Sequence, residues 1–146
     1  MDLPKIIQGG MGVAISNWKL AKTVSRLGQL GVVSGTGLAN VLIARLMDGD
    51  PGGHMRRAMD HFPMKEPIQR IIDTYFVEKP EKNQTYKRPK MWTQKPAKSI
   101  QELTVVANFV EVFLAKEGHN RPVGINLLEK IQMPILTSLY GAMLAG

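Results

Sequence analysis

Pro4-Lys5-Ile6-Ile7-Gln8-Gly9-Gly10-Met11-Gly12, residues 4–12, is the stretch that decides the expected fold of this chain. The apolar run at residues 5–8 predicts a short buried strand. It breaks into three glycines, which let the backbone turn sharply and approach a ligand that a Cβ would exclude. Ser16 is then predicted to be the N-cap of a helix over residues 17–27, which Gly28 ends. The stretch therefore predicts a strand, a glycine turn able to cradle a ligand, and a helix.

A second unit of the same kind follows directly. Residues 30–34 form another strand-like run, which ends in Gly35-Thr36-Gly37 before an apolar helix pattern at residues 38–47. Tandem strand-to-helix units form a parallel sheet with right-handed crossovers, so the carboxyl ends of their strands share one edge. Ligands of α/β proteins bind at that edge. We therefore expect the two glycine clusters, residues 9–12 and 35–37, to open onto one face.

The rest of the chain predicts one more strand and four more helices. The helical patterns lie at residues 54–61, 67–77, 100–117 and 135–144. Ser99 and Glu102 form a capping box at the start of the third of these helices. The third strand is predicted at residues 123–128, and its Asn126 is a polar exception in an apolar run. This order predicts a parallel α/β fold in which residues 48–98 form an inserted cap beside the glycine clusters.

Composition narrows the class of protein. The chain has 146 residues, enough for one domain, and 44% of them are hydrophobic. The absence of cysteine excludes disulfides and thiolate metal sites, and no apolar stretch approaches the ~20 residues of a membrane span. We expect a soluble cytoplasmic protein that binds no metal and no membrane. His54, His61 and His119 are expected at the surface, so no catalytic residue is assigned.

The net charge of +7 is concentrated in one proline-containing segment, residues 79–98. Its basic residues are Lys79, Lys82, Lys87, Arg88, Lys90, Lys95 and Lys98. Tyr86 and Trp92 lie among these cations, so a basic binding module for RNA or an acidic partner is one alternative. A solvated, proline-stiffened connection explains the same composition and is favoured. We therefore do not expect a nucleic-acid partner.

Three motifs in order resemble the nitronate monooxygenase family, also called 2-nitropropane dioxygenases. They are Pro4-Lys5-Ile6-Ile7-Gln8-Gly9-Gly10-Met11-Gly12-Val13-Ala14, residues 20–35, and Val123-Gly124-Ile125-Asn126-Leu127. The resemblance implies a TIM-type (β/α)8 barrel that binds FMN and oxidises alkyl nitronates with oxygen. The chain would supply the amino-terminal part of that barrel, namely its first three βα units with a helical insertion after the second strand.

The resemblance also implies site residues. Gly10, Met11 and Gly12 would line the flavin ring through backbone contacts, and Asn126 would hydrogen-bond the flavin or its ribityl-phosphate arm. Ser34 and Gly35 would adjoin them by topology. From the residues alone, Asn126 is equally well explained as an amide that satisfies its neighbours near a strand end. One departure is visible, because Gln8-Gly9-Gly10-Met11 has glycine where much of the family has proline.

The length of the chain limits the fold and the activity that it can have by itself. A (β/α)8 barrel takes roughly 250 residues, and only three strands can be counted. We therefore expect a portion of a barrel that is inactive by itself and that associates with the remaining strands or with itself, because three strands leave apolar edges exposed. An FMN-dependent enoyl reductase of fatty-acid or polyketide synthesis is the alternative enzyme.

Overall fold

The computed structural model describes residues 3–146 as a mixed α/β structure with six helices and a two-stranded parallel sheet that is not closed into a barrel. The elements are α1 (Trp18–Arg26), β1 (Gly31–Ser34), α2 (Leu38–Met47), α3 (His54–Asp60), α4 (Lys65–Tyr75), α5 (Lys98–Lys116), β2 (Val123–Asn126) and α6 (Ile135–Leu144). A short 3-10 turn, Pro51–Gly53, joins α2 to α3. The parallel α/β prediction is therefore confirmed at the level of fold class.

The sheet pairs β1 with β2 over four residues, from Gly31 opposite Val123 to Ser34 opposite Asn126. The predicted third strand thus ends at residue 126, two residues before its expected limit. The predicted first strand is reduced to a single parallel bridge between Ile7 and Leu30. Its predicted burial is wrong, because Ile7 is 65% exposed at the edge of the sheet.

Helix α5 is the centre of the hydrophobic core. Its side chains Leu103, Val106, Val110 and Leu114 are at most 2% exposed. Helices α1, α2 and α6 all pack against it. Residues 106–112 are buried without interruption, so the middle of α5 is removed from water on all sides. This burial holds the helices behind the sheet.

Two helix starts differ from their predictions. Asn17, not Ser16, caps α1, because its Oδ1 accepts hydrogen bonds from the N–H groups of Lys19 and Leu20 at 3.0 and 3.2 Å. Ser16 is buried instead and bonds to Gln8. A cap needs an oxygen aimed at free amides, and only the side chain of Asn17 is so placed.

The capping box at the start of α5 is also absent. The helix begins at Lys98, one residue before Ser99, with Ala97 as its N-cap. Glu102 binds Arg70 of α4 through both oxygens, at 2.7 and 3.2 Å. A bidentate ion pair with the neighbouring helix has therefore replaced the local bond that the sequence predicted.

The insertion at residues 48–98 contains α3, α4 and an extended segment. That segment attaches to the carboxyl end of α2, where the N–H of Val77 donates to the carbonyl of Leu46 at 3.2 Å and Nε2 of Gln84 donates to the carbonyl of Met47 at 2.7 Å. Among residues 3–146, no hydrogen bond joins this insertion to either glycine cluster. Its role as a cap over those clusters stays a prediction.

Helix α6 packs on α5 through small residues, since Ser138, Gly141 and Ala142 are buried. Its large apolar side chains lie on the opposite side, where Leu136 is 80% and Met143 76% exposed. Exposed apolar surface was expected of a partial barrel, and self-association stays a prediction. Within the described part of the chain, no helix combines the length and the apolarity that crossing a bilayer requires.

Candidate functional site

Asn126, the last residue of β2, connects the end of the sheet to the first glycine cluster. Its Nδ2 donates to the carbonyl of Gly9 at 3.2 Å and lies 3.1 Å from Sδ of Met11. These residues are more than a hundred positions apart in sequence. The side chains of Met11 and Asn126 therefore meet at the carboxyl end of the sheet, which we call the rim.

Gly10 lets the turn approach the strands this closely. Its φ of +61° lies in the left-handed region, and a Cβ there would sit 2.5 Å from Cγ1 of Val32 and 2.9 Å from Cβ of Asn126. Both distances are far shorter than van der Waals contact. The turn can therefore lie against β1 and β2 only with glycine at this position.

The second glycine cluster joins the same rim. Ser34 stands opposite Asn126 in the sheet, and the N–H of Gly35 donates to the carbonyl of Asn126 at 2.8 Å. A Cβ added to Gly37 would lie 3.4 Å from Cγ1 of Val13, in ordinary contact with the first turn. The expectation that both clusters open onto one face is thereby confirmed.

All six predicted site residues belong to this rim. Gly12, with φ of +83°, lies in the same turn as Gly10 and Met11, while Ser34 and Gly35 end the neighbouring strand. Gly10, Ser34 and Gly35 are buried, Asn126 is half-buried, and Met11 is 67% exposed. The structure thus brings the residues together, whereas their contact with a cofactor stays a prediction.

Many backbone N–H groups near the rim have no hydrogen-bond acceptor within the described protein. The N–H groups of residues 9–14 donate no hydrogen bond to any described residue, and those of residues 36–39 are equally free at the start of α2. Gly37 is the N-cap of α2 and offers no side-chain cap. Successive free amides and an uncapped helix start both favour negative charge and electron-rich oxygens. The rim can therefore bind an anion or a polar ring.

Sequence reasoning missed two residues beneath the rim. The Nε2 of Gln8 donates to Oγ of Ser16 at 2.8 Å, and the Oε1 of Gln8 accepts from the N–H of Val32 at 3.0 Å. The N–H of Ser34 donates to the carbonyl of Ser16 at 2.8 Å. The one available signal was the position of Gln8, a polar residue that ends an apolar run just before the glycines.

Two cavities lie away from the rim. One, of about 510 Å³, runs along α1 and is lined by Trp18, Lys22 and Arg26 among others. The other, of about 420 Å³, lies between α4, α5 and α6 beside Phe62 and Tyr140. Neither of these cavities is lined by Gly10, Met11, Gly12, Ser34, Gly35 or Asn126.

The histidines make protein contacts away from the rim. His54 packs on the ring of Trp18, His61 on that of Phe113, and the ring of His119 bonds to the carbonyl of Ala115. Within residues 3–146, no group of three or more histidine and acidic side chains could hold a metal ion. No catalytic residue emerges from these positions.

The aromatic residues of the basic segment are engaged with the protein. The hydroxyl of Tyr86 donates to Oδ1 of Asp48 at 2.6 Å, and this hydrogen bond raises the pKa of Tyr86. The Nζ of Lys87 donates to the carbonyl of Thr74 at 2.6 Å, and Trp92 packs partly buried on the core. Stacking on nucleic-acid bases would compete with these contacts.

The chain matches no protein-family model, no curated protein and no solved structure. Its functional assignment therefore depends on the geometry of the rim and on the motif resemblance of residues 4–35 and 123–127.

Proposed function

We propose that this chain forms one side of the FMN site of an oxidoreductase similar to nitronate monooxygenases, which oxidises alkyl nitronates with oxygen. One observation carries the proposal: Asn126 and Met11 meet at a rim where residues 9–14 and 36–39 present free N–H groups. A cytoplasmic setting and a small-molecule substrate belong to the same proposal.

The chemistry of the rim suits FMN. The flavin carries carbonyl oxygens and a phosphate, all of which accept hydrogen bonds from backbone N–H groups. The Nδ2 of Asn126 is already engaged with Gly9, while its Oδ1 accepts no hydrogen bond from a described residue. That oxygen is available to a donor on the ligand. The exposed side chain of Met11 offers an apolar contact for a ring.

The residues of this chain would bind and orient the cofactor. Bound FMN supplies the redox chemistry, and the protein supplies position and hydrogen bonds. The hydrogen bond from Asn126 to the carbonyl of Gly9 joins the turn to β2 before a ligand arrives, which reduces the conformational entropy lost on binding. In the proposed barrel, Ile7, β1 and β2 occupy the first three strand positions, and residues 48–98 form the inserted cap.

An NMR titration of the ¹⁵N-labelled chain tests the binding proposal. Millimolar FMN should shift the amide signals of residues 10–14 and 36–38 and the side-chain signals of Asn126, even if binding is weak. Riboflavin should shift the amide signals of residues 10–14. Inorganic phosphate alone should cause smaller shifts than FMN. Absence of shifts at the rim, or shifts confined to the cavity along α1, would refute the proposal.

A matched pair of asparagine variants makes the test specific. Asn126→Ala removes the carboxamide from the rim, so the Kd for FMN should rise about tenfold, the effect of one lost hydrogen bond to a polar ligand. Asn120→Ala, an exposed position before the start of β2 and so at the other end of that strand, should leave the Kd unchanged. Equal Kd values for both variants would remove Asn126 from the site.

Substrate assays separate the two flavoenzyme alternatives. If the FMN-loaded barrel that this chain helps to form consumes oxygen with an alkyl nitronate, the monooxygenase reaction is supported. NAD(P)H-dependent reduction of an enoyl thioester without nitronate activity would instead support the enoyl reductase. A basic binding module at residues 79–98 would retain RNA at low salt and release it at high salt.

A further inference from the structure

The side chain of Gln8 stands where the main chain should continue the sheet. In a parallel ladder, N–H groups of one strand alternate with carbonyls of the other along both strands. Here the N–H of Leu30 donates to Ile6 at 3.1 Å and that of Gln8 donates to Leu30 at 2.9 Å. The next donor, the N–H of Val32, is paired with the side-chain Oε1 of Gln8, not with its carbonyl.

Because the side-chain oxygen of Gln8 accepts this hydrogen bond in place of its main-chain carbonyl, the backbone can leave the sheet at Gly9. The same carboxamide also reaches the end of the turn, where its Nε2 bonds to Oγ of the buried Ser16. Ser16 in turn accepts the N–H of Ser34 through its carbonyl. One side chain therefore joins the beginning of residues 9–16, the end of that turn, and β1.

We propose that Gln8 is a positioning residue that sets the shape of residues 9–16, and through it the alignment of the free amides and Asn126. Both hydrogen-bonding atoms of the carboxamide are in use, so an apolar side chain of similar length cannot replace it. The effect on ligand affinity rests on the proposed FMN function. The effect on the shape of the turn does not.

Gln29 offers a matched control. Its Oε1 accepts the N–H groups of Lys5 and Ile6 at 3.0 and 2.8 Å, so it ties the same segment to the sheet through two hydrogen bonds. These bonds lie at the other end of the segment, away from the turn. If Gln8 served only to attach the segment, Gln8→Met and Gln29→Met should have the same consequences.

The experiment compares wild-type, Gln8→Met and Gln29→Met chains by NMR and by FMN titration. Gln8→Met should move the amide signals of residues 10–14 and the side-chain signals of Asn126, and should raise the hydrogen-exchange rate of the Val32 amide about tenfold or more. The Kd for FMN should rise about tenfold as well. Gln29→Met should leave these signals and the Kd at wild-type values.

Each outcome decides the proposal. Unchanged turn signals in Gln8→Met, or equal shifts in Gln29→Met, overturn it. If wild-type protein does not bind FMN but Gln8→Met still moves the turn signals, the proposed function fails and the positioning role stands. If Gln8→Met does not fold, Ser16→Ala decides, because it removes one partner of the carboxamide and should move the same signals by less; no movement overturns the role.

Discussion

Replacing Gly10 with alanine should damage both the stability of the fold and the rim. A left-handed φ costs an L-residue about 1–2 kcal/mol. The new Cβ would also lie 2.5 Å from the stiff, buried side chain of Val32 and 2.9 Å from Cβ of Asn126, which the backbone of β2 holds in place. Overpacking of this kind costs about 1–3 kcal/mol. We expect Gly10→Ala to lower the free energy of unfolding by about 2–5 kcal/mol in total.

Urea unfolding followed by tryptophan fluorescence, to which the buried Trp18 and the partly buried Trp92 contribute, measures this loss. With an m-value of about 1–3 kcal/mol/M, a loss of about 2–5 kcal/mol should lower the midpoint by roughly 0.7–5 M. Gly9→Ala is the control, because its φ is not positive and nothing beyond its chain neighbours lies within 4 Å of the Cβ position. Its stability should be unchanged or higher by about 0.5 kcal/mol. Equal midpoints for the two variants would refute the close approach of the turn to the strands.

Three further predictions test the packing and the charges. Gly31→Ala should destabilise the protein by about 3 kcal/mol or more, because its Cβ would lie 1.9 Å from a main-chain oxygen of α1; a urea midpoint within error of wild type would contradict this. Glu111→Ala should cost about 3–5 kcal/mol in the same assay, since Glu111 is 2% exposed and its loss leaves Arg45 without its ion-pair partner. The hydrogen bond from Arg57 holds the pKa of Glu117 below its ordinary 4.5, so this pair stabilises the protein above that pH and the contribution is lost as pH falls through the lower folded value. When urea unfolding is measured as the pH falls from 4.5 through that lower pKa, Glu117→Gln should therefore lose less of its free energy of unfolding than wild type does.

The helices show how much of the secondary structure could be predicted from local sequence patterns. Helix α6 has the predicted bounds, Ile135–Leu144, and α2 likewise runs over residues 38–47. Their limits depend on apolar spacing and on proline or glycine within a few residues, all of which can be seen in the sequence. The capping box at Ser99 failed for the opposite reason, because Glu102 had a partner in another helix.

The candidate site likewise has features that local sequence predicts and features that depend on contacts between separate elements. Glycine clusters after apolar runs indicated where the chain could turn, and parallel strand order indicated that both turns would share one edge of the sheet. The role of Gln8 could not be predicted. Its partner Val32 is 24 residues away. A side chain that accepts a hydrogen bond in place of a main-chain carbonyl produces no periodic pattern in the sequence. The exposure of Ile7 also depended on whether anything covered that edge.

The sequence by itself determined the parallel α/β class, most helix limits and the positions of the two glycine turns, because each depends on backbone chemistry within a few positions, whereas the six rim residues were named from the family resemblance. Only the tertiary structure decided that Asn126 reaches Gly9 across 117 positions and that a glutamine side chain completes the sheet beneath the turn. Those contacts depend on how close separate helices, strands and turns lie after packing. The spacing of residues along the sequence does not give that distance.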